Sequence, residues 1–310
     1  MTLGPSDLAV SPLALGGNVF GWTADTAQSF AVLDAYAAAG GNFLDTADVY
    51  SAWAPGNSGG ESETVIGEWL RSRGNREQIV VATKVGMLSG LDNLRPETIR
   101  RGAEESLRRL GVERIDLFYT HRDDPETPVE EIVTTLDALV REGKVREVAA
   151  SNIGPERLAA SLEFAAREGL AKYVAVQPHY NLVSRDTYEG PLADVAAEHG
   201  LSAVPYYALA SGFLTGKYRP GAAVDSARAQ GAGRYLEEPR GLRVLAALDE
   251  VAAAHGAQPA AVALAWLAAQ PTVAAPLASA RTVEQLPPLL AAASLELTGA
   301  ELKLLSEASA

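Results

Sequence analysis

The sequence predicts one (β/α)8 barrel domain over residues 1–310, and three observations lead to this fold class. Short apolar runs alternate with longer Ala- and Leu-rich stretches along the whole chain. Several short runs, such as Ile79–Ala82, are apolar throughout, which indicates strands covered on both faces and hence a parallel sheet. Eight strand candidates alternating with helices in a chain of 310 residues are typical of a (β/α)8 (TIM) barrel.

The strand candidates follow one another along the chain. They are Leu13–Gly16, Asn42–Asp45, Ile79–Lys84, Ile115–Tyr119, Val145–Ala150, Tyr173–Gln177, Ser202–Tyr206 and Val273–Leu277. The alternative fold is a doubly wound sheet, whose first turn usually carries a Gly-x-Gly-x-x-Gly spacing. Leu15–Asn18 is rich in glycine but lacks that spacing, so we favour the barrel.

Helix start and stop signals lie between these strands. Proline in the first turn and glycine after the last turn predict helices from Pro96 to Gly111, from Pro128 to Gly143 and from Pro155 to near Gly169. We also expect an N-terminal β-hairpin and two helices beyond the basic repeat, at Gly241–His255 and Gly299–Glu307. The remaining stretch, Ser211–Pro239, is a long loop, and such loops in compact domains are usually functional.

Composition excludes several classes of function. The formal net charge of -13 repels the phosphates of nucleic acids and of anionic membranes, so we expect neither as a partner. The chain has no cysteine, which excludes disulfides and thiolate chemistry, and no His/Asp/Glu spacing indicates a metal site. Met1–Val10 lacks the features of a signal peptide and Ala260–Ala269 is too short to cross a bilayer, so we expect a cytoplasmic protein.

Polar or titratable side chains stand where the predicted strands end. In chain order they are Asp45, Lys84, His121, Ser151, Asn152, Gln177 and Tyr206. The carboxyl ends of barrel strands converge on one rim, where the active sites of such enzymes are built. We therefore predict that these side chains form one site.

Tyr50 follows the second strand and has the chemistry of a proton donor. An unperturbed tyrosine has a pKa of about 10, and a neighbouring ammonium stabilises its phenolate. With Lys84 nearby, we expect the pKa of Tyr50 to fall, while Asp45 orients Lys84 and keeps it charged. His121 would offer a neutral donor that polarises a carbonyl oxygen. The hypothesis is proton transfer to a carbonyl group.

Segments along nearly the whole chain resemble the aldo-keto reductase superfamily. They are Asn42–Tyr50, Gly60–Glu63, Ala82–Lys84, Asp116–His121, Gly143–Arg146, Ser151–Asn152 and Leu209–Tyr218. Any one segment is weak evidence, whereas the complete set in order is strong. The resemblance is to the bacterial and general branch of the superfamily, which includes the β-subunits of voltage-gated potassium channels.

This resemblance implies the reversible reduction of an aldehyde or ketone by NADPH, with NADH as the alternative cofactor. It implies a catalytic tetrad of Asp45, Tyr50, Lys84 and His121, in which hydride reaches the carbonyl carbon and Tyr50 protonates the oxygen. It also implies cofactor binding by Gly17, Asn18, Ser151, Asn152, Gln177, Tyr206, Leu209, Ser211, Gly212, Leu214, Lys217, Arg281 and Gln285.

Within that cofactor set the resemblance implies separate roles. Ser151, Asn152 and Gln177 would hydrogen-bond the carboxamide, and Tyr206 would stack on the nicotinamide ring. Backbone amides and the lysine of Leu209–Lys217 would oppose the charge of the pyrophosphate. Arg281 would grip an adenosine 2′-phosphate, because a guanidinium presents two donors to a phosphate.

The chain departs from the family pattern at several positions. Tyr207 and Ala208 stand where serine and proline are common, Pro178 replaces an asparagine, and Pro287–Leu289 replace polar residues near the adenine. The loop Ser51–Gly59 is longer than usual and carries a tryptophan. Around the substrate we expect Trp22, Trp53 and His179.

Two other functions stay open at this point. A barrel aldolase would form a Schiff base on Lys84, although Asp45 beside it would hold the amine protonated. A non-catalytic barrel would bind the nicotinamide and sense its redox state for a partner. Structural roles are also open for several of these residues. They are an ordinary buried ion pair for Asp45 and Lys84, a helix cap for Ser151 and Asn152, a solvated side chain for Arg281, and core packing for His121, His179, Tyr206, Trp22 and Trp53.

Overall fold

Eight short parallel strands form the centre of the computed structural model, which describes residues 1–221, 224 and 229–310. The strands are β1 Ala14–Gly16, β2 Phe43–Asp45, β3 Val80–Val85, β4 Ile115–Thr120, β5 Val145–Ser151, β6 Tyr173–Gln177, β7 Ser202–Ala203 and β8 Leu277–Ala278. Their order in the sheet is β7-β6-β5-β4-β3-β2-β1-β8, and each pairing is parallel. The predicted parallel sheet is confirmed.

The two ends of this strand order are linked to each other. Ala203 of β7 forms a parallel bridge with Val273, which lies just ahead of β8. The N–H of Leu277 in β8 also donates to the carbonyl of Pro205, at 2.9 Å. The sheet therefore curls round in a way that is consistent with a (β/α)8 fold.

Helices connect the strands. They are α1 Thr26–Ala38, α2 Glu61–Arg73, α3 Pro96–Leu110, α4 Val129–Arg141, α5 Pro155–Glu168, α6 Pro191–Glu198, α7 Ala229–Gly233, α8 Pro239–His255, α9 Pro259–Ala268, α10 Leu286–Ala291 and α11 Gly299–Ala308. Gly111 and Gly169 follow α3 and α5 with a φ of 66°, so these predicted ends are confirmed. The two predicted additional helices are α8 and α11. Among the described helices none alone is long and apolar enough to cross a membrane, and α8 with α9 meets that measure only as a pair bent by 98°.

Two strands are shorter than predicted by three residues, and proline explains both differences. The predicted strand Ser202–Tyr206 is regular only at its first two residues, because Pro205 has no N–H to donate; pairing returns as an isolated bridge between His179 and Tyr206. The predicted strand Val273–Leu277 likewise contains Pro276, and the observed β8 begins after it. In each case the proline interrupts the ladder without ending the pairing of the segment.

The N-terminal segment pairs with itself without forming a regular strand. Thr2 and Ala9 form an isolated antiparallel bridge. Leu3 and Leu8 are fully buried in a cluster that includes Phe43 from the amino end of β2. The segment therefore covers the amino end of the sheet, and the carboxyl end is the one left for a site.

The long loop predicted at Ser211–Pro239 is built from short helical turns. It contains most of a 3-10 helix at Ala210–Thr215, then α7, then a second 3-10 helix at Arg234–Leu236. Positions 222, 223 and 225–228 of the loop lie outside the described residues. A Cβ placed on Gly231 of α7 would lie 3.7 Å from the Ser211 hydroxyl, so α7 packs against the first 3-10 helix.

Candidate active site

The predicted strand-end side chains lie at the carboxyl ends of five neighbouring strands. Asp45, Ser151 and Gln177 are the last residues of β2, β5 and β6. Lys84 is one residue from the end of β3, and His121 directly follows β4. Parallel strands in register bring these ends to one rim.

Asp45, Lys84 and Tyr50 form a compact hydrogen-bonded group. The Lys84 Nζ lies 2.6 Å from Asp45 Oδ2, 2.8 Å from the Thr46 carbonyl and 2.9 Å from the Tyr50 hydroxyl. The Tyr50 hydroxyl in turn donates to Asp45 Oδ2 at 3.2 Å. Three acceptors around Nζ match the three hydrogens of an ammonium, so we assign Lys84 as protonated. Lys84 and Asp45 are both fully buried, where such an ion pair needs this close geometry.

The predicted fall in the pKa of Tyr50 is wrong. Burial, and after it the Asp45 carboxylate, raise the pKa of Tyr50 well above its ordinary value. The sequence showed Lys84 as a neighbour but not the desolvation that outweighs its effect. Burial also lowers the pKa of Lys84, against the opposing effect of the Asp45 carboxylate. The phenol therefore stays protonated, which is the form that a proton donor needs.

His121 lies beside Tyr50 as a neutral imidazole. Burial, followed by the charges of Lys84 and Arg122, lowers the pKa of His121 well below its ordinary value. The His121 and Tyr50 rings are 5.9 Å apart between centroids. The His121 Nδ1 atom is buried and has no hydrogen-bond partner among the described atoms. A neutral imidazole beside the phenol can donate one hydrogen bond without competing for its proton.

A chain of hydrogen bonds connects Tyr206 with this group. The Tyr206 hydroxyl donates to Asn152 Oδ1 at 2.6 Å, and Asn152 Nδ2 donates to the Ser151 hydroxyl at 3.0 Å. The Ser151 hydroxyl donates to the Gln177 carbonyl at 2.9 Å, and Gln177 Nε2 donates to Asp45 Oδ1 at 2.8 Å. The Gln177 Oε1 atom accepts no hydrogen bond among the described residues. It is thus available to a bound donor such as an amide.

The rim opens into a cavity of about 370 Å³. Its lining residues are Tyr50, Met87, His121, Arg122, Ser151, Asn152, Gln177, Tyr206 and Tyr207. Sequence reasoning missed Met87, Arg122 and Tyr207 as lining residues. Arg122 could have been found, since it directly follows a strand-end residue that was selected. Tyr207 was noted only as a departure from the family, and its left-handed φ of 56° could not be foreseen.

Aromatic side chains surround this cavity. The Trp22 and Trp53 rings meet edge to face at 5.6 Å, and the Trp53 ring lies 6.2 Å from that of Tyr50. His179 stacks on Tyr206 at 5.4 Å. The three residues expected around the substrate therefore contact lining residues or one another, but none of them lines the cavity directly.

The predicted phosphate-binding segment forms the first 3-10 helix of the long loop. Ser211 and Gly212 interrupt it with φ values of 57° and 91°. The N–H groups of Gly212 and Leu214 both donate to the Leu209 carbonyl, so these two amides already have a partner. The exposed Lys217 ammonium lies 4.9 Å from the Tyr218 ring centre.

The other predicted cofactor residues lie at the ends of β1 and β8. The Gly17 N–H donates to the Asp45 carbonyl at 2.7 Å. Asn18 Oδ1 accepts from the Ser279 hydroxyl at 2.6 Å, which connects the two strand ends. Gln285 Oε1 accepts from the Arg281 N–H at 2.9 Å, and the half-buried Arg281 has no ion-pair partner among the described residues.

A buried carboxyl group without a hydrogen-bond partner lies close to Lys84. Asp48 is fully buried, and neither of its carboxyl oxygens has a partner among the described atoms. The neighbouring Glu63 carboxylate, in contrast, accepts hydrogen bonds from the Thr83 hydroxyl and the Arg109 guanidinium. Burial, and then repulsion from Glu63, raise the pKa of Asp48 to about 8. Asp48 is therefore protonated at neutral pH.

In the described part of the chain, no group of three His, Cys, Asp or Glu side chains is placed so that it could hold a metal ion. The Lys84 geometry also disfavours a Schiff base, because that reaction needs an unprotonated amine. The groups that remain are a protonated phenol, an ammonium and a neutral imidazole beside an open cavity. Together they can protonate an oxygen atom.

Comparisons with known proteins point in one direction. The model of the aldo/keto reductase family matches residues 12–310. The chain is 32% identical to Protein tas of Escherichia coli, with 94% of this chain and 92% of the relative covered. It is 33% identical to norsolorinic acid reductase stcV of Emericella nidulans, with 95% and 77% covered. It is 32% identical to a probable voltage-gated potassium channel subunit beta of Oryza sativa subsp. japonica, with 92% and 88% covered.

Proposed function

Because the chain belongs to the aldo/keto reductase family, whose members are NAD(P)H-dependent oxidoreductases, we propose that it reduces an aldehyde or ketone to the alcohol with NADPH and with Tyr50 as proton donor. The observation that carries this proposal is the position of the Tyr50 hydroxyl. It lies 2.9 Å from the Lys84 Nζ, and Tyr50 and His121 both line the open cavity. A cytoplasmic location is part of the proposal.

The residues of the site divide the proton transfer among them. Tyr50 holds its proton at rest, because its pKa is raised by burial and by Asp45. When a carbonyl oxygen approaches, the Tyr50 O–H bond breaks as the alcohol O–H forms, and the Lys84 ammonium stabilises the phenolate that remains. Asp45 keeps Lys84 in position, and His121 hydrogen-bonds the same oxygen. The reduced nicotinamide, when bound, supplies the hydride to the carbonyl carbon.

The residues present fit a nicotinamide. Gln177 Oε1 is free to accept from a carboxamide, and Ser151 and Asn152 line the same wall of the cavity. Tyr206 also lines the cavity, with His179 stacked on its ring. We therefore propose that these four residues hold the nicotinamide, with Gly17, Asn18, Leu209, Ser211, Gly212, Leu214, Lys217, Arg281 and Gln285 along the rest of the cofactor.

The proposal is tested by mixing the pure protein with NADPH and a panel of aldehydes and ketones. We expect the nicotinamide absorbance to fall only when a carbonyl compound is present, with one alcohol formed for each NADPH consumed. Tight NADPH binding without turnover over a broad panel would replace this proposal with the redox-sensing alternative. Trapping of a substrate on Lys84 by borohydride would replace it with an aldolase.

The preference for NADPH over NADH should depend on Arg281. Replacing Arg281 by alanine is expected to weaken NADPH binding by about 10- to 100-fold, the usual range for a lost hydrogen bond to a charged group, and to leave NADH binding nearly unchanged. Calorimetric titration of both cofactors measures this. Arg167→Ala, on the exposed face of α5, is the control for loss of charge. Equal losses for both cofactors in Arg281→Ala would remove the 2′-phosphate contact from the proposal.

A further inference from the structure

A single guanidinium stands at the mouth of the active-site cavity. Arg122 is exposed and is the one charged side chain among the described residues that line the cavity. The protein as a whole carries a net charge of -13. Most of this surface therefore repels anions, whereas the positive charge of Arg122 attracts an anion to the mouth of the cavity.

Arg122 is not occupied by a carboxylate within the described part of the chain. Its guanidinium makes only a long contact there, 3.5 Å from Nη2 to the Asp92 carbonyl. The carboxylates that follow it in the chain are used elsewhere. Asp123 pairs with Arg157 at 2.8 Å, and Asp124 accepts from a backbone N–H at 2.9 Å and from a hydroxyl at 2.6 Å. The guanidinium is therefore free to bind an anion from solution.

Besides Arg122 and the amide of Asn152, the exposed residues that line the mouth are aromatic or apolar. Tyr207 is 52% exposed and Met87 is 39% exposed, and both line the cavity. Trp53, next to Tyr50, is 49% exposed. Large apolar side chains left open around one cavity mark a binding site for an apolar ligand. Flat rings on several sides favour a planar ligand body.

The cavity volume limits the size of that ligand. A cavity of roughly 150 Å³ holds one benzene molecule. The volume of about 370 Å³ therefore admits roughly two ring-sized groups. In the proposed function one of these places belongs to the nicotinamide, which leaves room for a substrate with one ring.

We propose that the substrate is an aromatic aldehyde or ketone that carries a carboxylate, and that Arg122 is the residue that selects for the carboxylate. The guanidinium presents two parallel N–H groups to the carboxylate oxygens, while the carbonyl oxygen faces the Tyr50 hydroxyl. Met87 and Tyr207 cover the ring. This inference rests on the proposed function and adds the substrate class to it.

The test compares 4-carboxybenzaldehyde with its methyl ester, methyl 4-formylbenzoate, in the native protein and in Arg122→Gln. We expect Arg122→Gln to lower kcat/KM for the acid by about 10- to 100-fold, mainly through KM, and to change that for the ester by less than about threefold. Arg95→Gln is the matched control, because Arg95 is exposed and does not line the cavity. Arg95→Gln should change kcat/KM for neither the acid nor the ester. Equal losses for acid and ester, or no loss for the acid, would overturn the assignment of Arg122.

A binding measurement separates this inference from the proposed function. Benzoate and benzamide are titrated calorimetrically into the native protein and Arg122→Gln, with NADP⁺ present. Binding of benzoate that depends on Arg122, in a protein that reduces no carbonyl compound, would refute the proposed reaction but support the carboxylate site. The other outcome is that the protein reduces neutral aldehydes, while Arg122→Gln changes neither kcat/KM for 4-carboxybenzaldehyde nor the affinity for benzoate. That outcome would refute the substrate class and leave the proposed reaction standing.

Discussion

Replacing Tyr50 by phenylalanine is expected to lower kcat for carbonyl reduction by about 10²- to 10⁴-fold, the range that a positioned general acid contributes. The substitution removes the hydroxyl whose oxygen lies 2.9 Å from the Lys84 Nζ and keeps the ring that packs against His121 and Trp53. NADPH affinity should stay unchanged, since Tyr50 belongs to the proton-transfer group. Single-turnover reduction at saturating NADPH and an equilibrium cofactor titration measure the two quantities.

The matched control for this experiment is Tyr119→Phe. Tyr119 is a second tyrosine close to Lys84, with its ring centre 5.9 Å from Nζ, but it is fully buried and does not line the cavity. Its loss of a hydroxyl should leave kcat within a few-fold of the native value. Native turnover in Tyr50→Phe, or an equal loss in both variants, would contradict the role given to Tyr50.

Replacing Asp48 by asparagine is expected to remove the contribution that this carboxyl group makes to the pH dependence of stability between about pH 4 and pH 8. In the folded protein burial and Glu63 raise the pKa of Asp48 to about 8, whereas an unfolded aspartate titrates near 3.9. The folded state thus binds this proton more tightly than the unfolded chain does. The Asp48 carboxyl group alone should cost the native protein roughly 1.4 kcal/mol of stability for each pH unit as pH rises through this window.

Asparagine does not titrate, so the free energy of unfolding of Asp48→Asn should rise relative to that of the native protein as pH rises. The upper bound of this gain above about pH 8 is roughly 6 kcal/mol. The free energy of unfolding by urea, measured at several pH values from about 5 to about 9, gives the two profiles. Asp34→Asn is the control, because the hydrogen bond from Arg73 lowers the pKa of Asp34 and places its titration below this window. Parallel profiles for Asp48→Asn and the native protein would show that Asp48 ionises at its ordinary pH.

The positions of the site residues were predictable because barrel strands are apolar and their ends are marked by polar residues. Asp45, Lys84, His121, Ser151 and Gln177 each come at or beside the end of a strand, so the fold alone brings them together. Their grouping needed no knowledge of any loop. Tyr50 lies beyond a strand end, and it was selected for the chemistry of a phenol near Lys84 before the family resemblance gave it a place in a tetrad.

Features that depend on loop paths and on desolvation were not predictable in the same way. Tyr207 reaches the cavity through a left-handed backbone, and Met87 reaches it from the loop after β3. The pKa of Tyr50 was predicted in the wrong direction, because a sequence shows which charges are near but not how much water remains. The unpaired state of Asp48 is invisible for the same reason. It follows from the side chains packed around it and not from its neighbours in the chain.

The bond between Gln177 and Asp45 spans 132 positions of the sequence and gives one carboxylate two tasks. One of its oxygens holds the ammonium that serves the acid, and the other holds the amide proposed to face the nicotinamide. In the proposed function, cofactor recognition and proton donation therefore share one hydrogen-bonded carboxylate. Substitutions of Ser151 or Asn152 that change cofactor affinity are therefore expected to disturb Asp45 and Lys84 as well. The pH profile of the reaction should then shift together with the affinity for the cofactor.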